Sequence, residues 1–237
     1  MAVTASFLLC SILLIAGLLS AEPQQPQSPL ITIFNGASTQ QLDLIYELHK
    51  AEIIPTVLDE FIPQYTIDAT WSEKKNITAA YGNTLPVSAT QEAPKIKLTR
   101  NQNSQFVSNP RPQLTLIITD PDAPSRDNPE WSEVCHWIVT FPTSRAPTEP
   151  NVEIATEGED VMPYKPPGPP PKTGKHRYVL VALAPLNQTT ETLALTPPGE
   201  RKRWGYERER TGLRRWMGEM GLGVVGANFI YEQDEEQ

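Results

Sequence analysis

The chain has 237 residues and a formal charge of −8, with 20 Lys and Arg against 28 Asp and Glu. That balance excludes nucleic-acid backbone recognition as the main task, because such binding rests on clustered basic side chains. The length allows one domain of about 200 residues or two small ones, and 24 prolines point to a loop-rich, β-leaning architecture.

Residues 1–21 carry no charged side chain, and the apolar stretch from Phe7 to Leu19 has the length of a signal-peptide core. Small residues at Ser20 and Ala21 place cleavage near Ala21. The alternative is an uncleaved anchor, since the run approaches the ~20 residues of a membrane span. Two sequons, Asn76-Ile77-Thr78 and Asn187-Gln188-Thr189, fit a secretory route and mark Asn76 and Asn187 as glycan acceptors. The reading is therefore of a secreted protein, or one of the secretory pathway or vacuolar lumen. Cys10 leaves with the signal, so Cys135 stands alone and no intramolecular disulfide forms.

Residues 22–37 form a Pro/Gln-rich lead that reads as disordered, and 38–237 as a single domain with an acidic C-terminal tail. Ser38 is placed to cap a helix with Leu42, Ile45, Leu48 and His49 on one face, and a second short helix is expected from Ile53 to Phe61. Strands are expected at Tyr65–Trp71, Ile96–Leu98, Leu114–Thr119, Cys135–Phe141 and Tyr178–Ala184. The proline run 166–171 excludes helix and central strand and reads as a structured loop between strands of one sheet. Arg210 to Met220 is expected as an amphipathic helix whose basic side is a solvated face, or alternatively a peripheral membrane or partner surface. Ala227 to Tyr231 reads as an apolar closing segment.

The most constrained stretch is Asp120-Pro121-Asp122-Ala123-Pro124-Ser125-Arg126, directly after the strand at Leu114–Thr119. Its prolines fix the backbone path, and a rigid polar turn at a strand end is a common place for binding groups. Two of the three histidines, His136 and His176, also sit beside strand ends. Were these strands neighbours, Asp120, His136 and His176 would converge. Imidazoles backed by a Gly/Pro loop could then hold a phosphate or carboxylate by charge-assisted bonds. The alternatives are satisfied structural histidines, or a two-histidine, one-carboxylate metal site serving a hydrolase. No Ser or Cys shows a histidine-activated pattern, and alternation turns Cys135 away from His136.

The Asp120–Arg126 motif, the stretch Trp131–His136 and Gly168-Pro-Pro-Pro-Lys-Thr-Gly-Lys-His-Arg-Tyr178 resemble the phosphatidylethanolamine-binding protein family, over about Ser38 to Tyr231. The segments Ile53–Phe61 and Gly226–Tyr231 are most similar to its fungal, carboxypeptidase-inhibitor branch. The resemblance implies a mainly β fold with flanking helices (α+β), a large antiparallel sheet packed beside a smaller one. It also implies an anion pocket, with Asp120, Pro124, Trp131, His136, Gly168, His176 and Tyr178 as ligand-binding residues and Asp122 and Arg126 bracing the loop. Cys135 and Pro166 depart from the family pattern. The function implied is non-catalytic binding of a phosphoryl or phospholipid head group, or of acidic peptide groups, to modulate a partner, with no cofactor and no metal. The alternative is inhibition of a serine carboxypeptidase, which in that branch also involves the N-terminal segment.

Overall fold

A computed structural model describes residues 37–101, 113–141 and 158–236, so the expected signal peptide and most of the disordered lead lie outside the described residues. The order is α1 (Thr39–Lys50), α2 (Ile53–Thr56), β1 (Tyr65–Ser72), β2 (Ile77–Thr78), β3 (Asn83–Thr84), β4 (Lys95–Arg100), β5 (Leu114–Asp120), β6 (Val134–Phe141), β7 (Glu159–Met162), β8 (His176–Pro185), α3 (Gly212–Glu219) and β9 (Leu222–Glu232). Six strands form one sheet in the order β3-β9-β8-β5-β6-β7, and β2-β1-β4 form a second. All pairings are antiparallel except β3 with β9. No helix among the described residues is long and apolar enough to cross a membrane.

The large sheet is covered on both faces, which explains why β5 and β8 read as almost unbroken apolar runs. Ile117, Val179, Val181 and Leu183 face the helices, packing with Leu44, Leu48, Trp204, Leu213 and Trp216. Leu116, Ile118, Leu180 and Ala182 face the small sheet and meet Ile67, Ala69, Ile96 and Leu98. Gly226 lets the sheets come together, because a Cβ there would lie 2.6 Å from the Tyr65 carbonyl oxygen.

Ser38 caps α1 in a reciprocal capping box with Gln41. The buried face is Gln41, Leu44, Ile45 and Leu48, and the expected Leu42 is exposed. Gln41 turns inward because its side-chain amide donates to the Pro63 carbonyl. The second helix stops at Thr56 rather than Phe61, and Ile54, just before Pro55, is already non-helical. His49 lies on the surface, 2.8 Å from Glu60. The closing segment is a far longer strand than expected, eleven residues paired along the whole of β8. The basic stretch before and within α3 is no free face: Arg210 bonds the Pro121 and Arg126 carbonyls, Arg214 those of Pro55 and Thr56, and Arg215 pairs with Glu219. Asn76 and Asn187 both lie exposed on turns.

Two buried groups tie the β5–β6 turn to the rest. Arg177 donates to Asp122 through Nε at 2.8 Å and Nη2 at 2.6 Å, while its Nη1 reaches the Ala51 and Glu52 carbonyls beyond α1. Burial would push the Asp122 carboxyl up, but the hydrogen bonds and charge of Arg177, with Arg126 nearby, hold it below its ordinary value. Arg126 pairs at the surface with Glu52. Arg177→Met strands a buried carboxylate and should cost about 3–5 kcal/mol in urea unfolding at neutral pH, with Asp122→Leu/Arg177→Met losing less. Because the Asp122 value is depressed in the fold, this contribution is present above the ordinary value of 3.8 and is lost as pH falls through the lower native one. Equal losses in the single and double variants would refute the stranded-charge account.

Candidate functional site

The ends of β5, β6 and β8 and the proline loop after β7 enclose a cavity of about 190 Å³. Asp120, Pro124, Trp131, His136, Gly168, His176 and Tyr178 all line it. Three basic residues not expected from the sequence, Lys165, Arg201 and Lys202, line it too.

Alternation along β8 places His176 and Tyr178 on one face and Arg177 on the other. His176 Nδ1 lies 2.9 Å from Asp120 Oδ2, with both side chains almost wholly buried. Asp120 Oδ1 accepts the Asp122 backbone N–H at 2.7 Å, so both carboxylate oxygens are engaged. His176 Nε2 lies 3.0 Å from the Thr173 hydroxyl, which also reaches the Pro170 carbonyl.

His136 enters by a different device. Ile118 pairs with Trp137 and Thr119 with Cys135, leaving His136 as the extra residue of a β-bulge. Bulges re-aim side chains in this way. Its ring does not bond Asp120, as convergence of the three groups suggested. Nδ1 instead donates to the Lys165 carbonyl at 2.8 Å, and the ring edge meets Tyr178 with centroids 5.2 Å apart. Burial lowers its pKa below the ordinary histidine value, with Asp120 and the Lys165 carbonyl opposing and the charges of Lys165 and Arg201 reinforcing. The neutral ring then carries its proton on Nδ1, and Nε2 makes no hydrogen bond to another described residue.

The proline loop is pinned to the strands beneath it. Lys165 N–H donates to the His136 carbonyl at 2.7 Å, and Gly168 N–H to the Tyr178 hydroxyl at 3.3 Å. The Gly168 N–H is thus engaged by Tyr178. A Cβ at Gly168 would meet nothing within 4 Å, so the glycine leaves open space over the cavity. Burial, with Asp120 and Glu232 nearby, drives the Tyr178 hydroxyl far above its ordinary value, so it stays neutral.

On the opposite rim, residues 201–203 run beside the start of β6. Cys135 N–H donates to the Arg201 carbonyl and Arg203 N–H to that of Trp131, both at 2.9 Å, with Lys202 bridged to Val134. Arg201 donates to the carbonyls of Cys135, His136 and Pro163. Lys202 Nζ sits 3.6 Å over the Trp131 ring. No sequence spacing reveals this rim, because its partners lie some 65 residues away.

Burial pushes the Cys135 thiol up to about 12, which keeps it protonated, and the side chain packs on the helix face. Among the described residues no three His, Cys, Asp or Glu are grouped to hold a metal ion. Two further acids lie buried near the site. Glu133 accepts the Leu213 N–H at the start of α3, and burial pushes it up to about 7 against that bond and the charges of Arg214 and Arg210. Glu232, opposite His176 on β9, is likewise pushed up to about 7 by burial, with Thr90 opposing and Asp120 adding.

The sequence profile of the phosphatidylethanolamine-binding proteins matches residues 71–230. The chain belongs to the phosphatidylethanolamine-binding protein family. It is 34% identical over 190 residues to an uncharacterized protein of Saccharomyces cerevisiae, covering 78% of this chain and 91% of that one. It is 32% identical to the carboxypeptidase Y inhibitor of Saccharomyces cerevisiae, over 65% of this chain and 78% of the inhibitor. The crystal structure of carboxypeptidase Y inhibitor complexed with its cognate proteinase matches with a TM-score of 0.75 at 28% identity, covering 85% of this chain and all of the inhibitor. A two-sheet, mostly β fold with few helices is common to the family and to this chain.

Proposed function

We propose that the chain is a non-catalytic binding protein whose pocket takes a phosphoryl group and which acts by modulating a protein partner. The observation that carries this reading is the cavity itself, where an Asp120–His176 couple, a second histidine and three basic residues line about 190 Å³. Small-molecule sites begin at roughly 300 Å³, so the space suits a head group or a phosphorylated side-chain tip better than a whole lipid. An entering dianion would favour the charged imidazole, drawing a proton onto His136 Nε2.

Calorimetry with phosphoserine tests this. Binding at neutral pH should be accompanied by net proton uptake, read from its dependence on buffer ionisation enthalpy. His136→Gln should abolish the uptake and weaken binding by about tenfold or more, the worth of one charge-assisted bond. Because His136 is held neutral when empty, affinity should strengthen as pH falls from 8 toward 6.5. Unchanged affinity in both His136→Gln and His176→Gln would remove the assignment.

The second reading, inhibition of a serine carboxypeptidase, is favoured by the likeness to carboxypeptidase Y inhibitor in both sequence and fold. Titrating the chain into a serine carboxypeptidase should lower its activity in proportion to the chain added. Full residual activity at large excess eliminates it. Secretory passage belongs to the same proposal, with Asn76 and Asn187 exposed for glycan addition; protein from a secreting host should lose mass on endoglycosidase treatment, and unchanged mass refutes it.

A further inference from the structure

We propose that Lys202 makes this pocket selective for a phosphomonoester that carries no ammonium group. The inference rests on the pocket reading above and narrows it. Ammonium-bearing head groups need either an aromatic face or a free carboxylate for their positive end. Two aromatic side chains line this cavity: Tyr178 is almost wholly buried with its ring packed against His136 and His176, and Trp131 has the Lys202 ammonium 3.6 Å over its ring. Among the described residues Asp120 is the one acid lining the cavity, and its two oxygens are taken by His176 Nδ1 and the Asp122 N–H. A choline or ethanolamine ammonium entering here would meet a like charge on the Trp131 face and no unengaged carboxylate.

The same geometry favours the opposite charge. Lys165, Arg201 and Lys202 bring three positive charges to the lining. Arg201 is held by three carbonyls and acts as a fixed field, and Lys202 adds its ammonium from the exposed rim while it covers the Trp131 ring. The backbone bridge to Val134 and the Arg203 N–H to Trp131 carbonyl bond keep residue 202 on the rim. Such a set of cations is better matched by a dianion than by a monoester whose ammonium cancels part of that charge.

The experiment compares ethyl phosphate with phosphocholine, two monoesters that differ at the ammonium, by calorimetry on the full chain and on Lys202→Met. The native chain should bind ethyl phosphate about tenfold or more tightly than phosphocholine. Lys202→Met should weaken ethyl phosphate by about tenfold and strengthen phosphocholine, because the Trp131 face becomes free for the trimethylammonium. An unchanged melting temperature verifies that the exposed substitution leaves the fold alone. Loss of affinity for both ligands by one factor, or for neither, overturns the role of Lys202 while the pocket reading stands. Absence of binding by either ligand to the native chain removes the pocket reading and this inference with it. A matching Lys202→Met loss on phosphatidic acid vesicles identifies the source of the ester as lipid, and a loss confined to ethyl phosphate identifies it as soluble; selectivity holds in both cases.

Discussion

The buried pair of Asp122 and Arg177 is the constraint on which the rest of the structure depends. The strand ladders bring β5, β6 and β8 side by side, and this pair fastens the turn beyond them to the helical end. Asp122 fixes the turn after β5, Arg177 fixes the start of β8, and the remaining guanidinium hydrogens hold the carbonyls of Ala51 and Glu52. Because side chains alternate along a strand, this anchor lies on the helix face while His176 and Tyr178 look the other way. Fastening and recognition are thus assigned to neighbouring residues on opposite sides of one sheet. A group removed from water on this scale needs its partner, since a lone charge there would be several kcal/mol less favourable.

Charge is distributed with the same division of labour. The chain is acidic overall, yet among the described residues its cavity is lined by Lys165, Arg201 and Lys202, with Asp120 as its one carboxylate, hydrogen-bonded to His176. Most of the arginines between residues 200 and 220 are committed to internal carbonyls or acids and serve as struts.

Much of this was legible in the chain. The apolar runs of β5, β6 and β8 are continuous because both faces are covered, and the prolines around Asp120 announce a turn with a single path. All seven pocket residues that the family likeness suggested do line one cavity. What escaped was long-range. The bulge that turns His136 inward depends on the register of β5 against β6, which no local pattern encodes. Arg201 and Lys202 belong to the site because a loop returns to the start of β6 after more than sixty residues. Leu42 looked like a core residue, but Gln41 satisfied both the cap and the Pro63 carbonyl and rotated the helix by one position.

The two buried glutamates have a consequence for the surroundings in which the molecule is most at ease. Glu133 and Glu232 are both displaced from 4.5 to about 7, so the folded chain keeps protons there that an unfolded chain would surrender. Between those two values, each step toward acid therefore tilts the balance to the folded form, until Asp122 begins to demand its own proton below 3.8. The proton inventory of this protein therefore favours the folded form more at mildly acid pH than at neutrality.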